Sequence, residues 1–143
     1  ITAMHWGVED THTVSEDRKE LAQKLVDWGC DVILGTHPHT AETMEYITRA
    51  DGSRGFVYYS LGNFIFDTDY QRSQYNTEFG LIVKINFTET EFSWEPMGLE
   101  IVRGEEHVVK ALEAFDKKFA GFTHDTHGVE VDETGTYTVL CLR

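Results

Sequence analysis

Two short blocks carry the side chains best suited to chemistry, His5-Trp6-Gly7-Val8-Glu9 and Gly35-Thr36-His37-Pro38-His39. Each follows an apolar run, Ile1 to Met4 in one case and Val32 to Leu34 in the other. A buried parallel strand reads this way, and open α/β sheets place their chemistry beyond the carboxyl ends of such strands. Neutral imidazole is the commonest side-chain ligand for transition metals. Pro38 fixes its own φ and biases His37 toward an extended conformation, so the pair is expected on a stiff loop. The plain alternative is a polar loop with two solvated histidines.

The elements that must position these residues are legible around them. Ser15 suits a helix N-cap, and Glu16 and Asp17 place negative charge in the first turn, where the helix dipole favours it. Leu21, Ala22, Leu25, Val26 and Trp28 recur at helical spacing, and Gly29 stands where a terminating glycine belongs. Strand, helix and strand of this length make a βαβ unit. Adjacent parallel strands would bring His5, His37 and His39 to one sheet edge, with a turn at Gly7.

A third block, Tyr59-Ser60-Leu61-Gly62-Asn63-Phe64, completes a pattern. In order and spacing the three blocks resemble the bacterial capsule-synthesis CapA family, the poly-γ-glutamate capsule biosynthesis proteins, which are similar to calcineurin-like metallophosphoesterases. The resemblance runs from the start of the chain to about Asp67. It implies that His5, His37 and His39 are ligands of a divalent metal such as Mn or Zn. Glu9 matches the acidic residue after the His-Trp-Gly block, and Gly62 and Asn63 match a glycine-asparagine pair near the site. Glu9, Asn63 and Arg72 are the expected substrate contacts, Arg72 because guanidinium suits anionic groups. The superfamily also builds its site from an aspartate-rich first half with a bridging aspartate and an asparagine-histidine pair, and no such block precedes His5. The resemblance therefore implies the C-terminal part of a metallophosphoesterase-like α/β sandwich. Residues 1–143 would be one domain, with a metal-dependent hydrolase site completed by the missing half and little phosphoesterase activity alone.

Composition narrows the partners. At 143 residues, 41% apolar and 13% aromatic, the chain can bury one ordinary core. A net charge of −13 argues against nucleic acid and against anionic membrane. No apolar run approaches the roughly 20 residues of a membrane helix. An anionic polymer or phosphoester held through a cation is the expected substrate. Extracytoplasmic placement at the bacterial cell surface is implied by resemblance. A missing half would expose apolar sheet and favour homo-oligomers. Cys30 and Cys141 read as buried thiols rather than a disulfide.

Downstream, Thr43 to Arg49 and Gly55 to Leu61 flank an Asp51-Gly52 hairpin signal. Further strands are expected at Phe79 to Phe87, at Phe92 to Val102 with Pro96 at an edge or bulge, and at Thr136 to Leu142. Val108, Leu112, Phe115 and Phe119 form an apolar stripe that predicts a second helix opening at Gly104. Asp67 to Thr77 reads as a loop near the site. His12, His107, His124 and His127 read as surface or turn residues, and the Asn86-Phe87-Thr88 sequon as incidental. Three functions stay open: a metal-dependent hydrolase, a non-catalytic capsule-polymer binding or scaffold domain, and an interaction domain whose histidines are structural.

Overall fold

A computed structural model describes residues 1–65, 77–89, 92–102, 108–111, 129–131 and 137–139, with side chains as far as Ile101 apart from Glu100. It opens with strand β1 (Thr2–His5), helix α1 (Glu16–Asp27) and strand β2 (Val32–Thr36), followed by β3 (Met44–Thr48) and β4 (Arg54–Tyr58). These form a four-stranded sheet in the order β1-β2-β4-β3, with β1, β2 and β4 parallel and β3 antiparallel to β4. The βαβ unit is present, and its register pairs His5 with Thr36. Both histidine loops consequently leave the same edge of the sheet.

A second sheet contains β5 (Phe79–Phe87), β6 (Phe92–Val102) and β7 (Val108–Ala111), all antiparallel. A separate hairpin pairs β8 (Val129–Val131) with β9 (Tyr137–Val139). Pro96 pairs with Val83 of β5, whereas β7 joins β6 only from Leu99 onward, so the proline sits where that flank of β6 lacks a β7 partner. The second helix expected from Gly104 is corrected at Val108–Ala111, which form a strand. Two adjacent β-branched residues there complete a ladder with Ile101 and Val102, and that pairing overrides the helical stripe. Leu112, Phe115, Phe119, His107, His124, His127, Arg72 and Cys141 lie outside the described residues.

The first sheet is buried on both faces. Val32, Met44, Phe56 and Tyr58 pack with Phe79, Leu81 and Trp94 of the second sheet, while Ile33, Ile47, Val57 and Tyr59 pack with Ala22 and Val26 of α1. Alternation along β2 sends Val32 to one core and Ile33 to the other, which explains its unbroken apolar run. Helix α1 ends as the sequence indicates, with Gly29 N–H donating to the Val26 carbonyl (2.9 Å) and Cys30 N–H to that of Leu25 (3.0 Å). Cys30 is a free thiol whose Sγ lies 3.1 Å from Thr2 Oγ1.

Arg49 completes this end of the helix. Its Nε donates to the Val26 carbonyl (2.7 Å), and Nη2 donates to the Cys30 carbonyl (2.8 Å) and to Asp31 (2.9 Å). Replacing Arg49 with methionine is expected to lower stability by about 1–3 kcal/mol, since half-buried carbonyls lose a charged donor. The urea midpoint should fall at unchanged slope, and an unmoved midpoint would show that water satisfies these carbonyls equally well.

Candidate functional site

The site is assembled at the carboxyl ends of β1 and β2. Backbone pairing continues beyond the strands, with Trp6 N–H donating to the Thr36 carbonyl (3.1 Å) and Asp10 N–H to that of Pro38 (2.9 Å). These bonds clamp the 6–10 loop to the 36–39 loop. The clamp brings the His5 and His37 rings to 4.5 Å between centroids, and His37 to 6.3 Å from His39. Thr36 Oγ1 donates to the Met4 carbonyl (3.1 Å) and lies 3.5 Å from His5 Nδ1.

One local expectation is corrected. His37 has φ 106° and His39 has φ 63°, so the residue before Pro38 is left-handed rather than extended. Such angles are uncommon in non-glycine residues and cluster at functional sites, held by surrounding structure. Here the bonds on either side, Trp6 to Thr36 and Asp10 to Pro38, fix the loop against the proline's preference.

Glu9 is exposed, and its Oε1 lies 4.0 Å from His39 Nε2, beyond hydrogen-bond range. Asn63 is buried, with its Oδ1 2.8 Å from His39 Nδ1 and its Nδ2 donating to the Thr77 carbonyl at 3.1 Å. Glu9, Asn63 and His37 therefore neighbour His39, and His5 joins them through His37. His12 has its Nδ1 3.4 Å from the Ala41 carbonyl.

Beneath the loops lies an ion pair that sequence reasoning missed. Arg18 meets Glu42 through two parallel bonds, Nη1 to Oε2 (2.7 Å) and Nη2 to Oε1 (2.8 Å), with both side chains buried. Nη2 also donates to the Thr13 carbonyl (2.9 Å), and the guanidinium stands 5.8 Å from the Tyr59 ring centre. A Cβ at Gly7 would come within 2.6 Å of Arg18 Nη1 and 3.1 Å of Pro38 Cγ, so Gly7 lies close to both the guanidinium and the 36–39 loop. Trp6 Nε1 donates to the Tyr59 carbonyl (2.8 Å), and Tyr59 donates its hydroxyl to Glu45 (3.0 Å). Burial first, and the Glu45 carboxylate second, push the Tyr59 phenol above its ordinary range, so it remains a neutral donor into alkaline solution.

The donors, imidazole with one carboxylate nearby, suit a borderline divalent cation such as zinc or manganese. Among the described residues no three His, Cys, Asp or Glu side chains are grouped closely enough to hold an ion by themselves. Hence His5, His37 and His39 could supply part of a coordination sphere that other donors must complete.

The family described as bacterial capsule synthesis protein matches residues 1–68. The Capsule biosynthesis protein CapA of Bacillus anthracis is 37% identical over 74 residues, which cover 52% of this chain and 17% of that protein. The PGA biosynthesis protein CapA of Bacillus subtilis is 34% identical over 74 residues, covering 52% and 18% respectively. The chain thus spans less than a fifth of the length of these relatives. Residues 102–143 match a different family, the C-terminal domain of Orn/Lys/Arg decarboxylases. No solved structure matches the chain significantly. The part of the chain that is similar to the bacterial capsule synthesis proteins is thus the part that holds His5, His37 and His39.

Proposed function

We propose that this segment supplies histidine ligands to a divalent-metal site in a capsule-biosynthesis protein, and that the site hydrolyses a phosphoester or a related bond in an anionic polymer. The observation that carries this reading is the clamp of two parallel strand ends, which holds the His5 and His37 rings 4.5 Å apart beside His39. A bound divalent ion would polarise the ester and lower the pKa of its water. His5, His37 and His39 would hold the ion, Glu9 Oε1 lies 4.0 Å from His39 Nε2, and Arg18 with Glu42 supports the loop at Gly7. Surface charge supports the cation's role, because a chain of net charge −13 would repel a polyanion without one. Placement at the bacterial cell surface belongs to this reading.

A second reading rests on the same cluster of His5, His37 and His39. In it the site holds a capsule polymer such as poly-γ-glutamate through a cation without breaking a bond. Assays of the chain as encoded in its genome separate the two. Manganese- or zinc-dependent hydrolysis of a phosphodiester reporter, abolished by His37→Ala, is expected for the hydrolase. Cation-dependent retention of poly-γ-glutamate without turnover would favour the binding domain. Equal behaviour of wild type and variant in both assays would overturn both.

A further inference from the structure

The buried side chain of Asn63 has one amide end on each of two partners. Its Nδ2 faces the Thr77 carbonyl, which only accepts hydrogen bonds, so the amide nitrogen must lie on that side. Oδ1 is thereby turned toward His39 Nδ1 at 2.8 Å, and an oxygen at that distance requires a proton on Nδ1. In the neutral ring the lone pair then falls on Nε2, the nitrogen on the Glu9 side of the cluster. We infer that Asn63 is a positioning residue which fixes His39 in its Nδ1–H tautomer and presents Nε2 as the donor atom.

The backbone around Asn63 is itself held. A Cβ at Gly80 would fall 2.0 Å from the Asn63 carbonyl oxygen, so β5 approaches the Asn63 backbone as only glycine permits. Gly62 bridges to Gly80, and Leu81 N–H donates to the Leu61 carbonyl at 2.7 Å. The second sheet therefore sets the position of Asn63, and Asn63 sets the ring of His39. Ligating histidines commonly have their second nitrogen held by such an outer partner, and losing that partner weakens metal binding. The meaning of the tautomer for coordination rests on the proposed metal site, whereas the tautomer itself does not.

Long-range proton–nitrogen correlation spectra of the ¹⁵N-labelled chain, recorded without metal and well above the ordinary imidazole pKa of about 6.5, test this directly. His39 is identified by the signals lost in His39→Gln. Wild type is expected to show a protonated Nδ1 and a bare Nε2. Asn63→Asp, which keeps an acceptor against Nδ1, should preserve that pattern, and Asn63→Leu should give averaged signals from both tautomers. Zinc titration of Asn63→Leu should show affinity weakened roughly ten- to hundredfold. A proton on Nε2 in wild type overturns the inference, and so does an unchanged Nδ1–H pattern in Asn63→Leu. The wild-type spectrum decides alone if the leucine variant does not fold. Expected tautomers with no zinc bound to wild type would uphold the role of Asn63 and overturn the metal reading instead.

Discussion

Replacing Glu42 with alanine is expected to remove about 3–5 kcal/mol of folding stability, a large share of what a domain of this size possesses. The loss arises because Arg18 would stay buried beside Tyr59, Gly7 and the Thr13 carbonyl with no carboxylate opposite its two terminal nitrogens. The native pair is not expected to stabilise the fold by a comparable amount. Removing two charges from water costs nearly what their attraction returns, so the double variant Arg18→Met/Glu42→Leu should recover most of the loss. Urea unfolding of wild type, single and double variants forms the required cycle. A loss under about 1 kcal/mol in Glu42→Ala would mean that the pair behaves as a solvated surface bridge.

The second large effect is predicted at Gly35. A Cβ there would stand 1.9 Å from the Tyr59 carbonyl oxygen and 2.6 Å from Trp6 Nε1, the two atoms that hydrogen-bond each other. The nearest obstacle is backbone, so no rotamer change relieves the clash, and β2 and β4 must separate. Gly35→Ala is expected to cost about 3 kcal/mol or more, at the upper end for overpacking. It should also alter the near-ultraviolet dichroism of Trp6, which stacks on Tyr59 at 5.9 Å. The disturbance falls one residue from Thr36 and two from His37, so weaker metal binding should accompany it. An alanine variant of native stability and unchanged Trp6 signal would show that the strands part more easily than their packing indicates.

Much of the fold was readable wherever short-range chemistry decides it. Apolar runs marked β1 and β2, Ser15 and Gly29 bounded α1, and Asp51-Gly52 marked the hairpin between β3 and β4. Three histidines at strand ends pointed to one cluster, and the parallel register of β1 and β2 brings them to it. Pairings between distant residues were not readable. Arg18 looks like an ordinary charge on the first turn of a helix, and only Glu42, 24 residues away, buries it. Asn63 reads in the sequence as a substrate contact, and its hold on His39 emerges only where Thr77 fixes the sense of its amide. At Val108–Ala111 the helical stripe was a true period in the sequence, but β6 presented an open ladder to two β-branched residues. The left-handed φ of His37 belongs to the same class, because bonds from the neighbouring loop decide it.

In the proposed site His5, His37 and His39 act together as metal ligands. The most direct test is zinc and manganese binding, measured by titration calorimetry and by metal content after dialysis, for the intact chain and for His37→Ala. About one ion per chain is expected, with affinity at least roughly tenfold weaker in the variant, while both proteins unfold at the same urea concentration. Equal binding by wild type and His37→Ala, or no binding by either, would overturn the metal reading and leave the histidines as structural members of their loops.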